Sequence, residues 1–239
     1  MSVSSESEAT PPRPAGADDS IWEKIKRSPG TTALIAANIV VFTLAERAGN
    51  TQTIATLMQF GASERQAVWS GQYWRLFSAI FLHIGITHLI WNCYALLSLC
   101  SDVERELGLR RFLFVYLFSG VVASAASVVG HDVVAAGASG AGFGMIGVLL
   151  ALRYRALGTL KAFAADRGVR RTALMMGIWL LLGATVVAMD NFAHLGGLIS
   201  GALLGLALTR GPRAVLATTA ALALFVGSAL VPWPFLQAG

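Results

Sequence analysis

Long apolar runs constrain this chain more than any other feature. They recur at roughly 31–47, 86–101, 112–130, 139–156, 172–188, 191–209 and 214–232 of 239 residues. A helix that crosses a bilayer needs about 20 mostly apolar residues. Helix is also the structure that satisfies its own backbone polar groups in hydrocarbon. Composition agrees, with 55% hydrophobic and 13% charged residues, where an average soluble domain carries about 25% charged. The expected fold class is therefore all-α, a polytopic membrane helix bundle.

The placement of charge orders the runs. Arg13, Lys24, Lys26 and Arg27 precede the first run, and Arg105, Arg110 and Arg111 separate the second from the third. Arg153, Arg155, Lys161, Arg167, Arg170 and Arg171 separate the fourth from the fifth, and Arg210 and Arg213 the sixth from the seventh. If the runs alternate in direction, all of these fall on one side, and only Arg47, Arg65 and Arg75 fall on the other. The positive-inside rule then predicts a cytoplasmic N-terminus and a C-terminus outside. The formal charge of +5 is thereby a topology signal, and no nucleic-acid partner is expected. Residues 48–85 are too polar to cross, yet carry Trp69, Tyr73, Trp74 and Phe77, which suits a structured segment at the membrane interface.

Residues 1–29 read as a cytoplasmic, disordered tail. Their first 20 residues have neither the apolar core of a secretory signal nor the basic character of a mitochondrial presequence. Ile21, Trp22 and Ile25, interleaved with Lys24, Lys26 and Arg27, suit an interfacial turn before the first span. Cys93 and Cys100 lie seven apart in one apolar run, about 10 Å along a helix, too far for a disulfide.

Polar groups inside spans are costly and usually functional. Three sets stand out. Gly137-Ala138-Ser139-Gly140 opens the fourth span, where unpaired N–H groups and the positive helix end suit a developing oxyanion. An N-capping serine is the plainer account. Asp190-Asn191-Phe192-Ala193-His194-Leu195-Gly196-Gly197 opens the sixth span and puts a histidine at a comparable depth. It can act as general base to the serine, or it can be a packing residue. Gly140, Gly144 and Gly147 in one span, and Gly197, Gly201 and Gly205 in the other, let the two helices approach closely. His83, His88 and Asn92 form the third set. His88 and Asn92 are four apart and share a helix face, so both can donate toward the serine. A metal on the histidines is the rival use, but it wants a nearby carboxylate or thiolate. No metal and no cofactor are expected. Asp190 reads as a cap or loop acid, which the helix dipole favours.

At these residues the chain closely resembles the rhomboid family of intramembrane serine proteases. The matching pieces are Trp74-Arg75, His83 with His88 and Asn92, Gly-x-Ser-Gly at 137–140, and Ala193-His194-x-Gly-Gly continuing to Gly201. The resemblance implies a six-helix core over 30–210, with 211–239 an additional C-terminal transmembrane helix. It implies a dyad of Ser139 and His194 with no third acid. His88, Asn92 and the Ser139 backbone N–H would hold the oxyanion. Gly137, Gly140, Phe143 and Trp91 would support the substrate, with Phe143 stacking on His194 where many members have Tyr. Trp74, Arg75, His83, Glu104, Gly197 and Gly201 would be structural, Glu104 tying inner helix ends together.

The resemblance further implies hydrolysis of peptide bonds in or near transmembrane segments, with membrane-protein substrates, small residues at the cut and the bilayer as partners. Two other classes remain open. One is a catalytically silent relative that binds membrane clients. The other is a transporter with a histidine relay, which would want polar residues through the full depth of the bundle. The excess of Arg over Lys suits a bacterial plasma membrane.

Overall fold

The computed structural model describes residues 20–185 and 189–232. Most of the expected N-terminal tail, the last three residues of the fifth apolar run and residues 233–239 lie outside the described residues.

Helix α1 (Ile21–Arg27) occupies the end of the stretch read as disordered tail, with Ser20 as its N-cap. Ile21 and Trp22 stay exposed, while the basic residues sit in its last turn. The first span is α2 (Pro29–Ala48), with proline in its first turn, where the missing N–H costs nothing. Three short helices follow in the long connection: α3 (Ile54–Gln59), α4 (Arg65–Trp69) and α5 (Arg75–Ser78), the last running into a 3₁₀ turn at Ala79–Phe81. Tyr73, Trp74 and Phe77 are about half exposed along this segment.

The second span begins with α6 (Gly85–Ala95), widens into a π-helical turn at Leu96–Cys100 and ends as α7 (Ser101–Leu107). It bends by 88° from the Arg75–Phe81 segment. Gly85 has φ of +72° at the corner, a conformation glycine adopts without a Cβ penalty. Cys93 and Cys100 are both free thiols.

The remaining helices are α8 (Leu109–Gly130), α9 (Ser139–Leu157), α10 (Leu160–Ala165), α11 (Arg167–Thr185), α12 (Asn191–Leu208) and α13 (Pro212–Ala229). Among the described residues five helices are long and apolar enough to cross a membrane, or six with the bent Arg75–Leu107 unit as one span. The fifth apolar run forms α11, whose first turns contain Arg167, Arg170 and Arg171.

Helix α8 runs through the middle, burying Val115, Tyr116, Ser119, Gly120, Ala123 and Ser127. The most extensive helix pair is α9 with α12. A Cβ on Gly197 would strike the Gly140 carbonyl, one on Gly201 the Gly144 carbonyl, and one on Gly147 the Leu198 carbonyl. The main core, with Leu34, Leu96, Phe112, Tyr116, Met145 and Leu204, joins these helices to α2 and the second span. By contrast, α11 is broadly exposed at Leu174, Met175, Ile178, Trp179 and Leu181, a face that suits lipid.

Glu104 closes the end opposite the starts of α9 and α12. Its carboxylate accepts from the backbone N–H groups of Gly30 and Thr31 and from the Thr31 hydroxyl, each at 2.8 Å. One acid thus caps the first turn of α2 and ties it to α7.

Candidate active site

Ser139 is the first residue of α9, and its side chain makes no cap bond, the N-cap position being Ala138. A hydroxyl left free of capping is available to another partner. His194 lies one turn into α12, whose N-cap Asp190 accepts the Ala193 N–H at 2.9 Å. Nε2 of His194 stands 2.9 Å from Oγ of Ser139. With the proton on Nδ1, Nε2 accepts from the serine hydroxyl. Nδ1 is buried without a hydrogen-bond partner among the described residues. Asp190 therefore does not orient the imidazole as the third member of a triad would. It turns instead to the backbone and to His131, whose Nε2 lies 3.3 Å from Oδ1.

What holds the imidazole is an aromatic face. The Phe143 ring stacks on His194 with centroids 4.3 Å apart and planes 12° from parallel. His194 is 2% exposed, so the ring has little room to leave this orientation.

The second span brings His88 to the other side of Ser139. Nδ1 of His88 accepts the Ile84 N–H at 3.2 Å, which leaves Nε2 as the protonated nitrogen. A Cβ built on Gly137 would lie 3.2 Å from Nε2 of His88 and 3.7 Å from Oγ of Ser139. The space between imidazole and serine exists because residue 137 has no side chain, and its φ of +143° suits glycine. Asn92 donates Nδ2 to the His88 carbonyl at 2.9 Å, keeping one amide hydrogen for another acceptor. His83 is buried behind His88, ring edge to ring at 5.3 Å. The N–H groups in the first turn of α9 have no intrahelical acceptor. The arrangement is a serine hydroxyl with the His194 imidazole on one side and the His88 imidazole on the other.

A cavity of about 30 Å³ adjoins Ser139, lined by Ala79, Gly120, Ala123, Ser124, Gly137 and Asp190 among others. Only a small group fits there. Gly140 packs on Ala123 and so keeps α9 close to α8. Trp74 and Arg75 lie in the connection. The Arg75 guanidinium donates to the Met58 and Ala62 carbonyls and lies 4.9 Å from the Trp74 ring centroid. Trp91 is 61% exposed on α6 with its ring against Tyr94, and the structure does not bring it to the serine. Among the described residues no three of His, Cys, Asp and Glu gather closely enough to hold a metal ion.

Two contacts near the site escaped the sequence reading. His131, just past α8, reaches Asp190 and packs against Phe192. Asn191 donates to the Leu180 carbonyl at 2.9 Å, fastening α11 to the start of α12. Both contacts join segments that no sequence spacing relates.

Comparison with known proteins identifies the family. The profile of the Rhomboid domain matches residues 70–211. Rhomboid protease GluP of Bacillus subtilis (strain 168) is 43% identical over 171 residues, covering 72% of this chain and 33% of that protein. RHOMBOID-like protein 5 of Arabidopsis thaliana is 34% identical over 165 residues, covering 67% and 52%. RHOMBOID-like protein 2 of the same plant is 36% identical over 162 residues, covering 66% and 50%. The chain is an integral membrane protein and belongs to the rhomboid family. The match spans a third of GluP and about half of each plant relative.

Proposed function

We propose that this protein is an intramembrane serine endopeptidase that cuts peptide bonds in or near transmembrane segments of other membrane proteins. The observation that carries the reading is the 2.9 Å approach of His194 Nε2 to Ser139 Oγ at the starts of two close-packed helices. The name of GluP, a rhomboid protease, supports it.

Ser139 Oγ attacks the scissile carbonyl carbon while its proton passes to Nε2 of His194. The carbonyl oxygen becomes an oxyanion, held by the Ser139 backbone N–H, His88 Nε2–H and the free amide hydrogen of Asn92. Each such donor is worth about 3–4 kcal/mol in the barrier. The intermediate collapses, the C–N bond breaks, and His194 returns the proton to the leaving amine. Water, with His194 again as base, then releases the acyl group from Ser139. The small cavity beside the serine favours a small side chain at the cut.

The partition of Lys and Arg supports a cytoplasmic N-terminus and an extracytoplasmic site, in a bacterial plasma membrane. Residues 30–210 form the protease core, and 211–239 add the C-terminal transmembrane helix.

The test is reconstitution with a panel of single-span substrates, comparing the wild type with Ser139→Ala. Cleavage by the wild type alone is expected. Equal cleavage by both, or capture of substrates with no cleavage by either, overturns the reading, the latter in favour of a silent client-binding protein.

A further inference from the structure

The C-terminal helix does more than add a span. We infer that Trp69 is a positioning residue that hooks the connection between the first two spans onto the end of α13, and that this hook holds the loop in front of Ser139 in place. The link to catalysis rests on the protease reading above, whereas the hook itself does not.

The contacts form a continuous chain. The Trp69 indole N–H donates to the Ala229 carbonyl at 3.1 Å, one of the last carbonyls of α13, which no further helical turn would satisfy. Around that bond Val68 and Leu76 from the connection pack with Ala125 and Val128 of α8 and with Val226, Ala229 and Leu230. Arg65 lies over the Trp69 ring, 5.6 Å from its centroid, and donates Nε to the Val128 carbonyl at 2.8 Å. Trp69 is thus pressed between an arginine fixed to α8 and a carbonyl of α13.

From there the connection reaches the site directly. Ser63 and Ala135 exchange both backbone hydrogen bonds, at 2.9 and 2.7 Å. The Gly137 N–H donates to the Ala79 carbonyl at 2.9 Å. Residues 135 and 137 belong to the loop that leads into Ser139, and Gly137 leaves the gap facing His88. A connection free to lift off α13 would carry Ser63 and Ala79 with it, and the donors around the serine would lose their fixed positions. Most of α13 faces outward, with Leu216 and Leu224 exposed. Its specific business with the rest of the bundle near the site is concentrated at this one end.

The experiment uses the full chain in detergent or lipid. Trp69→Phe keeps an aromatic ring and removes the N–H, while Val226→Ala loosens the same junction from the α13 side. Two quantities are read: amide hydrogen exchange, and the rate at which a fluorophosphonate labels Ser139. Trp69→Phe is expected to speed exchange at 62–63, 135 and 137 by about 2- to 10-fold, the factor for one lost hydrogen bond, and Val226→Ala to speed the same amides through lost packing. Labelling should slow by a similar factor while the unfolding temperature moves little. In the double variant the effects should be less than multiplicative, because both act on one junction. Exchange at these amides unchanged in Trp69→Phe, or fully multiplicative effects, overturns the inference. If exchange responds as expected but even the wild type resists labelling, the hook stands and the protease reading fails.

Discussion

A methyl group placed on Gly201 would run into the backbone carbonyl of Gly144. The helices that carry His194 and Ser139 therefore meet backbone to backbone. This approach brings a base on α12 within hydrogen-bond reach of a hydroxyl on α9, and the first prediction follows from it. Gly201→Ala should destabilise the protein by about 1–3 kcal/mol, the usual cost of overpacking, and Gly201→Val by more. Both should slow labelling of Ser139 as the helices part. Gly142 is the control. It lies on α9, but a Cβ there meets nothing within 4 Å. Gly142→Ala should be neutral or stabilising by about 0.5–1 kcal/mol. Thermal unfolding in detergent checks all three.

Phe143 tests how the imidazole is held. With no carboxylate on Nδ1, the stacked ring is the main restraint. An aromatic pair is worth about 0.5–1.5 kcal/mol beyond its buried area. Phe143→Ala should therefore slow labelling of Ser139 by about 2- to 10-fold. Phe143→Tyr keeps the ring face and should stay within about twofold. Labelling rates at fixed pH separate the two.

Glu104 tests the opposite end of the bundle. Three donors converge on its carboxylate, which is 4% exposed. Glu104→Gln offers a single acceptor oxygen and turns an N–H₂ group toward the remaining donors. A loss of about 2–3 kcal/mol is expected, as for a buried hydrogen bond to a charged group. Urea or thermal unfolding measures it. Labelling of the folded fraction should be nearly unchanged, because the acid is remote from Ser139.

Asp166 gives a pH dependence outside the spans. Its carboxylate pairs with Arg153 and accepts the Val169 N–H at 3.0 Å, capping α11. The hydrogen bond from Arg153, then that from Val169, hold it below the ordinary aspartate value of 3.8. A carboxyl lowered on folding contributes stability that is complete above its unfolded value and is lost as pH falls through the lower folded value. Unfolding temperature followed from about pH 7 to about pH 3 should show this loss at the acid end. In Asp166→Asn that component should be absent.

Much of this could be read without coordinates. Apolar length found α2, α8, α9, α12 and α13 to within a few residues, because the bilayer sets a minimum run that composition cannot hide. Ser139, His194, His88 and Asn92 were visible because a polar group at the mouth of an apolar run needs a reason. The 88° corner before Gly85 was not visible, nor was the π turn at Leu96–Cys100. Both are local adjustments of helical sequence to its neighbours. Trp91 shows a different limit of the sequence. Spacing alone does not say which face of α6 it occupies, and the structure leaves it on an exposed one, away from the serine.

The sequence by itself determined that the chain lives in a bilayer, which ends of its spans carry charge, and which polar residues had to be explained. Those follow from solvation, which acts on each residue where it stands. The tertiary structure alone decided which of those residues touch. Only packing sets Nε2 of His194 beside Ser139 rather than beside Asp190, turns Asp190 toward His131, and brings Trp69 to a carbonyl 160 residues away. Such contacts depend on how whole helices seat against one another, and glycine at the crossing of α9 and α12 is what lets them seat so closely.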